Sequence, residues 1–221
     1  MSYALPEVQP PPYPIAIRPE SITRHEVMVT VTNRPEPWHT LDYSIEHDGT
    51  ELFTVRGKPW KISQARMFHD RSGLPLFEVR CQWYDSSSLC LRLPGGAQCI
   101  LEAKLRVAMN SPRAVVTFRD AAAAQRPRSS GPGPAAQGDE IVLEVHAQDL
   151  YNILQVVVVQ NRNVAYIRRI TDRSVLAEGQ RPPFRFRPKW TVRVAEGVDL
   201  SLIAVVVVIV GQRAGSDLGD S

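Results

Sequence analysis

Long apolar runs are scarce in this chain of 221 residues. The longest, residues 200–210, would span about 16 Å as a helix, well short of the roughly 30 Å core of a bilayer. Charge of one sign is scarce too, because the formal net charge is only +3. We therefore predict no transmembrane segment, and composition alone gives no case for a nucleic-acid binder.

Residue types suited to catalysis or metal binding are few and scattered. Cys81, Cys90 and Cys99 are evenly spaced, which favours successive hairpin strands over the close ligand pairs of a zinc site, and we expect reduced thiols in an intracellular protein. The five histidines show no helical ligand spacing, and no nucleophile elbow or phosphate-binding glycine loop occurs. We expect no catalytic residue, no metal and no cofactor.

Short runs of β-branched and aromatic residues, separated by turn residues, dominate residues 27–118 and 141–194. Residues 48–56 and 70–80 repeat one phrase: an acidic residue, a glycine turn at Gly49 or Gly73, an apolar pair and Val-Arg. The pattern predicts a mainly β fold of meandering strands.

The run at residues 200–210 is ambiguous. Its valines and isoleucines favour a strand. Asp199 before it is a good N-cap, Gly211 after it is a good residue to end a helix, and a run that is apolar on every face suits a helix buried on all sides. The residues alone leave helix and strand equally open.

Composition marks the domain boundaries. Residues 120–139 are rich in Ala, Pro, Ser and Gly and hold no large apolar side chain, so we predict a disordered insert. Residues 1–12 are a proline-rich N-terminus, predicted to be flexible and unlike a secretory signal, and residues 212–221 are predicted to be a flexible tail. The domain is expected to cover residues 13–211.

Positive charge is concentrated in one stretch. Residues 160–193 hold nine Lys and Arg against two acidic residues, a net charge of +7 in a chain whose total is +3. One interpretation is a solvated barrel face, and the other is a patch for acidic headgroups. No aromatic ladder accompanies the cations, so nucleic acid is not expected. The candidate headgroup-binding residues are Arg168, Arg169, Arg185, Arg187 and Lys189.

Several short phrases, taken in order, resemble the LURP-one-related family of the tubby C-terminal-like superfamily, to which the phospholipid scramblases are related. The phrases are residues 12–15 (PYPI), 48–55 (DGTELFTV), 72–76 (SGLPL), 164–167 (VAYI) and 197–203 (GVDLSLI). Within them, Gly49, Gly73, Gly197 and Asp199 form the structural motif.

The resemblance implies a closed twelve-stranded antiparallel β-barrel around a buried, hydrophobic C-terminal helix. Tubby relatives bind phosphoinositides, so the resemblance also implies a module that can bind anionic headgroups. Because catalytic motifs are absent from the sequence, we expect this module to be non-enzymatic. We accordingly expect a monomeric cytoplasmic protein that can lie peripherally at a membrane surface and bind anionic lipid there. The alternative is a protein-interaction scaffold without lipid activity, whose partner the sequence does not identify.

Overall fold

A computed structural model describes residues 5–33, 42–57, 65–82, 85–106, 113–123, 140–149, 153–170 and 189–216, without the side chains of Ser86 and of residues 212–216. These ranges contain a short 3-10 turn at Pro19–Ser21, followed by twelve strands and one α-helix, α1 (Leu200–Ser216). The strands are β1 (Val27–Asn33), β2 (Tyr43–His47), β3 (Thr50–Gly57), β4 (Arg66–Asp70), β5 (Pro75–Gln82), β6 (Asp85–Arg92), β7 (Cys99–Leu105), β8 (Ala114–Arg119), β9 (Glu140–Ala147), β10 (Leu154–Val159), β11 (Arg162–Ile170) and β12 (Lys189–Val194).

The twelve strands form one closed antiparallel barrel. Each strand pairs with its neighbours in the chain, and the first pairs with the last, with Val27 opposite Val194. Alternate residues of a strand face the interior, as β1 shows with its buried Val27, Val29 and Val31. Closure leaves no strand edge exposed. The mainly β prediction and the barrel implied by the family resemblance are both confirmed.

Helix α1 fills the barrel. Its residues 202–209 are at most 2% exposed, so the run is surrounded on every side. A strand there would leave its N–H and C=O groups without partners, because the barrel's strands already pair with one another, whereas a helix satisfies these groups internally. This requirement outweighs the β propensity of valine. Within the described residues, no helix has the length and apolar character needed to cross a bilayer.

Gly211 does not end the helix, contrary to the sequence-based interpretation of this residue. The helix continues to Ser216, and Gly211 has no positive φ. A Cβ placed on Gly211 would lie 2.9 Å from Cζ2 of the buried Trp190. Glycine is therefore required here because an indole ring of β12 packs directly on the helix backbone.

Two segments that the sequence analysis predicted to be flexible each contain a residue that is buried against the folded domain: Leu5 in the N-terminal segment and Asp120 at the start of the insert. In the N-terminal segment, Leu5 is buried against Val156 and Tyr166 on the outer face of the barrel. At the start of the predicted insert, the buried Asp120 accepts hydrogen bonds from the backbone N–H groups of Ala16 and Ala122, each at 3.0 Å. The described structure therefore continues to residue 123; residues 124–139 lie outside the described ranges.

The cysteines lie on three successive strands, as their even spacing predicted: Cys81 on β5, Cys90 on β6 and Cys99 on β7. The expectation of three reduced thiols is wrong for two of them, because Cys90 and Cys99 form a disulfide across β6 and β7, with their Cα atoms 5.7 Å apart. Sequence spacing cannot reveal such a contact, since it depends on the register of the two strands. Only Cys81 is a free thiol.

Candidate functional site

Two of the five predicted headgroup-binding residues lie side by side on the outer face of the barrel. Arg168 of β11 pairs with Thr191 of β12, and the exposed Lys189 lies two residues before Thr191 on the same face. Such diagonal neighbours are roughly 7–8 Å apart, within reach of long side chains. We call Arg168 and Lys189 the outer basic surface. They flank the connection between β11 and β12.

Arg169 faces the other way. It pairs with Trp190, whose ring is 2% exposed and belongs to the core, and the Arg169 Nε atom is buried. The structure therefore does not bring Arg169 together with Arg168 and Lys189. The signal was available in the sequence, because consecutive strand residues point to opposite sides of a sheet.

Arg185 and Arg187 lie outside the described residues, in the connection at 171–188. Their place in a headgroup site stays a prediction.

Two further cations of the positive stretch hold the N-terminal segment against the barrel. Arg193 donates from Nε to Glu26 at 2.7 Å and from Nη1 to the carbonyl oxygens of Leu5 and Pro6 at 2.8 and 3.0 Å. Arg162 donates to the carbonyl oxygen of residue 10 at 3.0 Å. Part of the charge counted in the sequence is therefore structural.

The motif residues serve turns and the start of the central helix. Gly49, Gly73 and Gly197 adopt φ values of +74°, +85° and +81°, a region that glycine enters without strain. The carboxylate of Asp199, which is fully buried, accepts hydrogen bonds from the N–H groups of Ile17, Arg18 and Ser201 and from the Ser201 hydroxyl. Burial raises the pKa of Asp199, and these hydrogen bonds oppose the rise.

A group of polar and aromatic side chains that the sequence analysis did not single out lies on the inner face of the barrel. Arg66, at the start of β4, is only 1% exposed. Its guanidinium carbon is 6.0 Å from the centre of the Tyr43 ring, and that ring is 6.2 Å from the Trp190 ring. Burial lowers the pKa of Arg66 and raises that of Tyr43. We call Tyr43, Arg66 and Trp190 the inner arginine cluster.

The sequence itself marks Arg66 as unusual, because this charged residue occupies an inward-facing position of a strand. It lies two residues before Phe68, a buried core residue of the same strand, so the two share the inner face. A charged residue at an inner position breaks the usual alternation of apolar and polar residues, and such a break identifies a buried charge from the sequence.

No arrangement typical of an enzyme is found in the part of the chain that the structure describes. No group of three or more His, Cys, Asp or Glu side chains could hold a metal ion there. The pKa of Asp85, lowered to about 2, has a local cause, since Ser87 and Ser88 donate hydrogen bonds to this carboxylate. The lowered pKa of Asp85 therefore does not mark a catalytic group.

The architecture defines a structural class of protein: a closed twelve-stranded antiparallel barrel built around its own C-terminal helix. The sequence profile of the LURP-one-related family matches residues 27–211, so the chain belongs to the LURP-one-related family. This family is not a known class of enzymes. No curated protein matches the sequence.

A solved structure shares the fold. The X-ray structure of a protein from Arabidopsis thaliana superposes with a TM-score of 0.56 over 89% of this chain and 96% of that one, at 16% sequence identity. An identity this low supports the common fold alone.

Proposed function

We propose that this protein is a non-enzymatic, tubby-like barrel module that binds anionic phospholipid headgroups, phosphoinositides among them, at a membrane surface. The observation that carries the proposal is the outer basic surface, where Arg168 and Lys189 share one face and flank the connection that holds the most arginines in the chain. A cluster of cations attracts an anionic leaflet, and each contributes about 1 kcal/mol near the surface.

The neighbours of these cations support the same proposal. Leu154 of β10 pairs with Arg168, and Ile170 of β11 pairs with Lys189; both apolar side chains are half-buried on this part of the outer face. Cations beside apolar residues suit the boundary between headgroups and acyl chains. The connection at 171–188 adds four arginines against two acidic residues.

Vesicle binding tests the proposal. The full chain is mixed with phosphatidylcholine vesicles containing phosphatidylserine or a phosphoinositide, and the bound fraction is measured by flotation at low and at physiological salt. We expect wild-type binding that weakens with salt. The double variant Arg168→Gln/Lys189→Gln should weaken binding about 30-fold, which corresponds to the loss of roughly 2 kcal/mol.

A second variant and a matched control locate the surface. Arg185→Gln/Arg187→Gln/Lys189→Gln should weaken binding about a hundredfold, because three cations are removed. Arg56→Gln/Lys104→Gln removes two charges from β3 and β7 and should bind as wild type does, since neither residue belongs to the outer basic surface. Absence of wild-type binding at low salt would contradict lipid binding and favour the protein-interaction scaffold.

A further inference from the structure

The inner arginine cluster contains a cation whose charge is not matched by the residues around it. Arg66 begins β4 and pairs with Val79 of β5 and Gly57 of β3. Its Nε and Nη1 atoms are buried, and among the described residues neither has a hydrogen-bond partner. A buried charge without a partner is costly, so a group of this kind requires an explanation.

The groups nearest to Arg66 do not supply a negative charge. The Tyr43 ring offers its face at 6.0 Å, a distance at the outer limit of a cation–π contact. The Cys81 thiol also interacts with Arg66, and burial raises the pKa of both Tyr43 and Cys81, so both remain protonated and neutral at pH 7. The guanidinium therefore lacks a counter-charge within the described part of the barrel.

The aromatic residues beside Arg66 continue along the inner wall of the barrel. The centre of the Tyr43 ring lies 6.2 Å from the centre of the Trp190 ring. Arg169 of β11 pairs with Trp190 of β12. These residues follow one another around β4, β3, β2, β1, β12 and β11, which are consecutive in the barrel. Arg169 lies five strands from β4 and has contacts of its own, so Arg66 is the guanidinium around which a site can be built.

We propose that the inner arginine cluster is a binding site for a phosphate group, with Arg66 as its main ligand. The planar fork of a guanidinium matches phosphate oxygens and can donate two hydrogen bonds at once. This site is on the inner face and is separate from the outer basic surface, so it does not depend on the function proposed above.

Thermal unfolding of the full chain tests the site. Inorganic phosphate is titrated at constant ionic strength, with chloride as the replaced anion. A ligand that binds only the folded state raises the melting temperature saturably. For a protein of this size, the rise should be about 3–6 °C at tenfold excess over Kd.

The variant Arg66→Met separates a ligand site from a structural arginine. If the site is correct, the variant loses the response to phosphate and, without phosphate, melts at or above the wild-type temperature, because an unpaired buried charge has been replaced by an apolar chain. Arg66→Lys keeps the charge without the fork and should bind phosphate at least tenfold more weakly, measured by calorimetry.

Two controls make the result specific. Gln155→Met changes a buried polar residue of β10, on the opposite wall of the barrel, and should respond to phosphate as wild type does. Arg168→Gln/Lys189→Gln should also keep the response, although it weakens vesicle binding. An absent wild-type response, an equal response in Arg66→Met, or a lower melting temperature of that variant without phosphate would overturn the proposal.

The source of the phosphate group is decided by comparing glycerol 3-phosphate with short-chain, water-soluble phosphatidate. Tighter binding of phosphatidate by tenfold or more identifies a lipid headgroup as the ligand. Equal affinity identifies a small phosphorylated molecule. In either case Arg66→Met must abolish the binding for the assignment to stand.

Discussion

Replacing Asp199 by alanine should remove a large part of the stability of the fold, because this one carboxylate joins the central helix to the N-terminal segment. Its Oδ1 atom accepts from the Ser201 N–H and hydroxyl, both at 2.7 Å, and its Oδ2 atom accepts from the N–H groups of Ile17 at 3.0 Å and Arg18 at 2.8 Å. Asp199 itself is 0% exposed, so water cannot replace these bonds without rearrangement.

The expected loss follows from these four hydrogen bonds. Loss of the N-cap costs about 1 kcal/mol. Each of the remaining donors left unsatisfied costs roughly 1 kcal/mol, the lower end of the usual range, because Ile17 and Arg18 are only partly buried. The sum is about 3–5 kcal/mol, against a total stability of roughly 5–15 kcal/mol for a typical domain. Asp199→Asn keeps one acceptor oxygen and should lose less.

Urea unfolding followed by fluorescence measures this loss. Asp70→Ala is a matched control, because the Asp70 carboxylate accepts three hydrogen bonds, from the Ser72 N–H and hydroxyl and the Leu74 N–H. Asp70 is the last residue of β4 and its hydrogen bonds are exposed to solvent, so water can replace them and the midpoint should hardly change. A loss below about 1 kcal/mol for Asp199→Ala, or an equal loss for Asp70→Ala, would refute the reasoning.

Three further changes test the architecture. Gly211→Ala should lower stability by about 1 kcal/mol, because the clash of its Cβ with the Trp190 ring outweighs the gain in helix propensity; a higher melting temperature would show that the ring can move. Val206→Asp should prevent folding, since Val206 is 0% exposed, and an unchanged thermal midpoint would contradict a central helix. Limited trypsin should cut after Arg128, since Pro127 blocks cleavage after Arg126, and should leave both fragments associated in size-exclusion chromatography, because β8 and β9 on either side pair with each other. Separation of the fragments would contradict this.

The strands could be predicted from local patterns, but their closure into a barrel could not. Alternation and turn residues identify strands one at a time, and consecutive hairpins then follow. The pairing of β1 with β12 joins residues far apart in the chain, such as Val27 and Val194, and no local period encodes it. The closed barrel was expected only because several short segments of the sequence resemble those of the LURP-one-related family.

The helix and the buried charges were hard to predict for a related reason. Propensity is a property of a residue, whereas the central run is helical because the space around it offers no partners for a strand's backbone. Asp120 and Arg66 are buried charged residues, and a search for apolar core positions passes over both. One of the hydrogen bonds that compensate for the burial of Asp120 comes from Ala16, about a hundred residues earlier in the chain, and no local sequence pattern predicts such a contact.

The positive stretch shows why charge counted along a β sequence has to be divided by face before it supports a function. Arg162 and Arg193 bind the N-terminal segment, and Arg169 belongs to the inner face, so of the described cations in residues 160–193 Arg168 and Lys189 make up the outer basic surface. Two cations give about 2 kcal/mol of attraction to an anionic leaflet, which is too little for stable attachment by themselves. Membrane binding therefore requires the arginines between β11 and β12, and the triple variant that includes Arg185 and Arg187 is the decisive one for this proposal.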